Sequence, residues 1–115
     1  MKLYALNMFQ PEGEPPPPEF LVGVMAELAE IRRELEAAEA WVFGAGLYPP
    51  EASTVVRAEA EQVIASDGPY VVAPEYLGGI TVIRVEDLDA ALWWAARYAQ
   101  ATRLPIEVRP FRAEV

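Results

Sequence analysis

Apolar residues recur along the chain with two different periods, and the changes of period mark out its elements. From Lys2 to Met8 the pattern is that of a strand, with Leu3 and Ala5 on one face and Tyr4 and Leu6 on the other. The prolines Pro15-Pro16-Pro17-Pro18 predict a stiff, extended lead into a helix. From Glu19 to Ala40, Leu21, Val24, Leu28, Ile31, Leu35 and Ala38 fall at steps of three and four and predict one apolar helical stripe. Glu30 with Arg33 and Arg32 with Glu36 are placed to pair on its solvated face. Trp41-Val42-Phe43 reads as a short strand. Gly44-Ala45-Gly46-Leu47 follows, a bulge or a close approach of backbone to something else.

Ser53–Arg57 and Gln62–Ser66 predict a hairpin, although Ala58-Glu59-Ala60-Glu61 lacks the Asn-Gly or Asp-Gly of a tight turn. Asp67-Gly68-Pro69-Tyr70 is a rigid turn carrying a carboxylate. Gly79 to Glu86 is the strongest strand, apolar on both faces. Asp87 predicts an N-cap for a helix over Leu88–Ala101, with Leu88, Leu92, Ala95 and Ala99 as its core stripe. Glu86, Asp87 and Asp89 read as capping and dipole residues and not as a metal cluster. Ile106 to Phe111 is a last strand.

The order is β-α-β, hairpin, β-α-β, a single α+β domain over residues 1–115. Two such units on one antiparallel sheet make the ferredoxin-like arrangement, with both helices on one face. The other face would be bare in a monomer of 115 residues, and a two-fold homodimer packed sheet against sheet is the expected solution.

Composition narrows the chemistry. The chain is 53% hydrophobic with a net charge of −9, which repels phosphate and disfavours nucleic acid and anionic membranes as partners. No apolar run is long enough for a membrane helix and no apolar leader is visible, so a cytoplasmic protein is expected. Histidine and cysteine are both absent. That excludes a Ser-His-Asp or Cys-His triad within the chain and any thiolate or imidazole metal site. No metal and no cofactor is expected.

What remains is a set of carboxylates and phenols around the Asp-Gly-Pro-Tyr turn. Asp67 is a turn cap or, alternatively, a general base at a cleft mouth; a cap lowers a carboxyl pKa where a base needs it raised. Tyr70, Tyr76 and Tyr48 could offer phenol donors, and Glu75 could share a proton or a cation with Asp67 if the two converge. Trp93 shares a helix face with Asp89 and Arg97, which suggests an interface or a stacked arginine.

These motifs together resemble the DGPF group of the YCII-related proteins, over nearly the whole chain. The carriers are Pro15–Glu19, Gly44-Ala45-Gly46-Leu47-Tyr48-Pro49-Pro50, Thr54-Val55-Val56-Arg57, Asp67-Gly68-Pro69-Tyr70, Leu77-Gly78-Gly79, Asp87–Leu92 and Pro105–Pro110. The resemblance implies a small bacterial protein with a dimeric α/β-barrel fold. Some relatives are linked to small-molecule enzymology through a His-Asp pair, and DGPF proteins are associated with sigma factors. The chain departs from that pattern at several places. Tyr48 and Tyr76 stand where histidine is common, and an acidic residue and a lysine are common near Val72 and Pro74. Ala60-Glu61 replaces an Asp-Gly turn, glycine is common near Glu39, and Trp93 replaces an acidic residue. Loss of the histidines removes the usual proton carriers near neutral pH. The expectation is therefore a homodimer that binds a small apolar or aromatic molecule near the Asp-Gly-Pro-Tyr turn, with little or no catalysis. The alternatives are a lyase- or hydrolase-like enzyme using Asp67, and a sigma-factor-associated interaction module using Trp93.

Overall fold

The computed structural model describes residues 1–114. Strand β1 (Lys2–Pro11) leads through the prolines into helix α1 (Pro18–Ala37), which returns to strand β2 (Trp41–Gly46). A single 3-10 turn at Pro50–Ala52 precedes the hairpin β3 (Thr54–Glu59) and β4 (Gln62–Asp67). Strand β5 (Glu75–Val85), helix α2 (Leu88–Thr102) and strand β6 (Ile106–Glu114) complete the chain. The main sheet has the order β2-β5-β1-β6 with every ladder antiparallel. This is the ferredoxin-like α+β fold that the pattern predicts, with the β3–β4 hairpin inserted as a separate two-stranded sheet.

Several elements are longer than expected because the turn signals lie inside strands. β1 and β5 pair from Lys2 opposite Val85 to Pro11 opposite Glu75, so Gly78 and Gly79 lie within β5 and do not begin it. Pro11 is tolerated because it closes the strand, where a missing N–H interrupts little of the ladder. β2 likewise runs on through Gly44-Ala45-Gly46, paired to Thr81, Ile80 and Gly79.

Both helices have identifiable ends. Pro18 occupies the first turn of α1, where its absent N–H is not missed. Ala40 N–H donates to Leu35 O at 2.8 Å and Glu39 N–H to Glu36 O at 3.0 Å. That is a Schellman closure with Glu39 in the left-handed region at φ 58°, a conformation that favours glycine. Asp87 caps α2 as expected, accepting from Ala90 N–H at 2.9 Å. Arg103 ends it at φ 61° with its N–H on Ala99 O.

The core lies between the sheet and the two helices. Tyr4, Leu6, Ile83 and Val85 of the sheet meet Ile31 and Leu35 of α1 and Ala91, Ala95, Tyr98 and Ala101 of α2. The stripe expected on α2 is thus only partly the one used: Ala95 is buried, but Leu88 and Leu92 are 48% and 46% exposed. Ala91, Ala95, Tyr98 and Thr102 make the buried face instead. Small alanines let the helix approach the sheet closely, and one tyrosine fills the space that two leucines would have filled. On α1 the predicted stripe is buried only at Ile31 and Leu35. Val24 and Leu28 are half-buried, Leu21 is exposed, and Ala38 is exposed as the C-cap beyond the helix end.

One charged pair ties the helices together. Both terminal nitrogens of Arg97 donate to the two carboxylate oxygens of Glu34 at 2.8 Å each, a bidentate bridge from α2 to α1. The hydrogen bond from Arg97 holds the Glu34 carboxyl below its ordinary value of 4.5. The pairs expected within α1, Glu30 with Arg33 and Arg32 with Glu36, are also present.

Two surfaces remain uncovered. On the sheet face away from the helices, β1, β5 and β2 present Ala5, Val82 and Phe43 in one row and Asn7, Ile80 and Ala45 in the next. On the hairpin, the register puts Val56, Ala58, Val63 and Ala65 on one side. Val56 and Val63 are 63% and 73% exposed. The hairpin makes the molecule extended, with a radius of gyration of 16.3 Å against roughly 13 Å for a compact chain of this length.

Because the Glu34 carboxyl is depressed in the folded state, its ion pair contributes stability above 4.5 and loses it as pH falls through the folded value. The gap in melting temperature between the wild type and Glu34→Gln, open at neutral pH, should therefore close below that point. The left-handed conformation at Glu39 costs a side chain roughly 1–2 kcal/mol, partly offset by glycine's greater unfolded-state freedom. Glu39→Gly should raise stability in urea by about 0.5–1 kcal/mol.

Candidate functional site

A half-open groove of about 580 Å³ lies between the middle of α1 and the end of the sheet that the helices leave uncovered. Its roof is Met25, Leu28, Ala29 and Arg32, which follow one another at helical spacing along one face of α1. Its floor is Gly44 and Gly46 of β2 with Gly78 and Gly79 of β5, strands paired through Gly46 and Gly79. Leu6, Met8 and Gln10 of β1, Ile106 of β6 and Tyr98 of α2 close the inner side.

The glycines have a packing reason. A Cβ on Gly44 would collide with the Trp41 indole, and one on Gly78 with the Gln10 side chain. Without them the edge of the indole occupies the space beside Gly44 and the Gln10 side chain the space beside Gly78. Gly78 is the extra residue of a β-bulge, since Met8 pairs with Gly79 and Phe9 with Leu77. A second irregularity falls between Trp41 and Phe43. Of the bulge or close approach expected at Gly44-Ala45-Gly46-Leu47, the close approach is met by Trp41 at Gly44, whereas the irregularity of β2 falls earlier, at Val42, and Gly44-Ala45-Gly46 pair in regular register.

Polar groups are few: Arg32 on α1, Tyr98 on α2, Gln10 on β1 and Thr81 on β5. The Arg32 guanidinium stacks over the Trp41 ring, 4.5 Å from its centroid. Arg32 Nε lies 3.7 Å from Glu36, the longest of the chain's ion pairs among the described residues. Burial pushes the Tyr98 phenol above its ordinary value of 10, against smaller opposing effects of a hydrogen bond with the Thr81 side chain and the Arg32 charge. Tyr98 therefore stays protonated at neutral pH. Arg32 is the single charged residue lining the groove. A smaller hollow of about 300 Å³ lies between the helices beside Glu27, Glu30 and Gln100, where Arg97 is already engaged by Glu34.

None of the five residues expected to form a cleft, Asp67, Tyr48, Tyr70, Glu75 and Tyr76, lines this groove. Asp67 ends β4 opposite Thr54, exposed, and its carboxylate accepts no hydrogen bond among the described residues. The turn after it is held by backbone instead, Gly68 N–H donating to Ser53 O at 2.8 Å. Glu75 begins β5 in the other sheet, opposite Pro11. Tyr48 and Tyr70 are 87% and 73% exposed, and Tyr70 packs under Arg57. Tyr76 is half-buried and paired across the ladder with the lining residue Gln10. Trp93 is exposed, in edge contact with Trp94 and with the Arg97 guanidinium over its ring, the stacked arginine its position suggested. No group of three or more carboxylates comes together among the described residues.

Sequence reasoning missed Arg32, Trp41, Gln10 and Tyr98. The available signals were Arg32 in line with Met25, Leu28 and Ala29 on α1, and Trp41 three residues before a glycine. A family model described as the YCII-related domain matches residues 1–112. A search of curated proteins finds no match.

The glycine floor makes a direct test. Gly44→Ala places its methyl against the far edge of the Trp41 ring, and the rigid bulky indole must swing away to make room. It should lower stability by about 1–3 kcal/mol and alter tryptophan emission. Gly78→Ala meets only the mobile end of Gln10 and should have the smaller effect in the same denaturation experiment.

Proposed function

The chain belongs to the YCII-related family, and from that premise we propose that it is a homodimeric protein that binds a small, mostly apolar molecule in the groove beneath α1, with little or no catalysis. The observation that carries this reading is the groove itself. It is concave, floored by glycine backbone and walled by Leu6, Met8, Met25 and Leu28, with few polar groups among its lining residues. Weak catalysis follows from the residues available. The groove contains no carboxylate, and the chain has no histidine or cysteine, so no lining group is a proton carrier poised near neutral pH. Asp67 stands outside the groove, and the reading gives it no chemical step.

The homodimer rests on the two uncovered surfaces. An isolated two-stranded hairpin is marginal in water, and this one carries an apolar side of Val56, Ala58, Val63 and Ala65. The bare face of the main sheet, with Phe43, Ala45, Ile80 and Val82, offers a second apolar area. A second copy brings matching surfaces and satisfies both by symmetry. Exposed Trp93 lies on α2, on the opposite side of the main sheet from that bare face, and is a candidate for a further contact.

Native mass spectrometry of the purified protein tests both parts. The expected mass is twice 12.7 kDa plus that of a retained small molecule. Ala29→Trp fills the groove from an exposed position on α1, and should abolish the added mass while preserving the dimer. A monomer, or an added mass that persists in Ala29→Trp, would overturn the reading.

A further inference from the structure

Resting on the groove reading above, we infer that the ligand is an organic anion, a flat and largely apolar carboxylic acid whose carboxylate is held by Arg32. The charge pattern is the first reason. Acidic residues outnumber basic ones 18 to 9, yet the groove is lined by no acid and by one arginine. A neutral apolar ligand would need no charge there.

The state of Arg32 is the second reason. Its ring partner Trp41 holds the guanidinium by stacking, which leaves the in-plane N–H donors at the edge of the group free to meet a carboxylate side-on. Its protein counter-ion does not use those donors well: Glu36 lies 3.7 Å from Nε, beyond hydrogen-bond distance, with both side chains about half exposed. Arg97, by contrast, spends both terminal nitrogens on Glu34 at 2.8 Å. Arg32 is thus preorganised in direction and weakly committed in charge.

The neighbouring groups have the matching character. Thr81 and the protonated Tyr98 carry hydroxyls on the same wall, and Gln10 lies across Gly78 with its amide. The glycine floor and the thioethers of Met8 and Met25 suit a flat ring, the floor because it has no side chains and the methionines because they repack. The overall negative field of the protein works against anions at long range. Selection for an acid must therefore come from contact with Arg32, which makes the inference specific to one side chain.

The test compares arylcarboxylates of one to three rings with their primary amides, which keep size and shape and remove the charge. Binding is read by titration calorimetry on wild type, Arg32→Gln and Arg32→Lys, with the melting temperature of each variant confirming the fold. The best acid should bind on the order of tenfold or more tighter than its amide. Arg32→Gln should weaken the acid far more than the amide and so remove that preference, and Arg32→Lys should restore part of it. Equal binding of acid and amide to the wild type, or an acid preference that survives Arg32→Gln, overturns the inference and leaves the groove reading intact. If neither acid nor amide binds at any ring size, the groove reading falls and this inference falls with it.

Discussion

The structure depends on a single strand that is longer than the helices can cover. β5 runs eleven residues and is hydrogen-bonded on both edges, to β1 and to β2. Its C-terminal half carries Ile83 and Val85, which are buried beneath α1 and α2 and anchor the core. Its N-terminal half carries Gly78, Gly79, Ile80 and Thr81, where α1 has drawn away and α2 contributes only Tyr98. Core and groove are therefore one layer, filled at one end and unfilled at the other. Apolar area left uncovered in this way forgoes roughly 25 cal/mol per Å², and the packed half must hold the fold alone.

That division explains which readings of the sequence succeeded. Element types and their order follow from period changes, and these survive even when the helix stripe is assigned imperfectly. The α2 stripe was misplaced because leucine weighs more than alanine in any hydrophobic pattern, while packing rewards close approach. Strand ends were misplaced because Pro11, Gly44, Gly46, Gly78 and Gly79 all read as punctuation. In the sheet they serve as a terminus, a bulge and room for neighbouring side chains.

The site was illegible for a different reason. Asp67, Tyr70, Glu75 and Tyr76 are neighbours in sequence, and nearness in sequence was taken as nearness in space. The hairpin breaks that link, since β4 leaves with its own two-stranded sheet while β5 returns to the main one. The groove instead gathers residues from β1, α1, β2, β5, α2 and β6. No spacing rule joins Arg32 to Thr81 or Gln10 to Gly78, because their proximity is a property of strand register and not of chain order. The Arg32–Trp41 stack was the one part within local reach, nine positions apart across the end of α1.

The glycines themselves separate two kinds of constraint. At Glu39 and Ala60 the backbone adopts positive φ, the conformation for which glycine is suited, yet neither position is glycine. Such strain costs roughly 1–2 kcal/mol each and lies outside the groove. At Gly44 and Gly78 the backbone is free of that demand, and glycine is present because a Cβ would strike the Trp41 indole or the Gln10 side chain. A misplaced indole would carry the Arg32 guanidinium with it and close the flat floor beneath α1. Turn strain can be absorbed by the stability of the whole domain, whereas the position of a stacked ring cannot be recovered from elsewhere. The chain thus tolerates side chains where only conformational energy is at stake, and lacks them where the shape of the groove is.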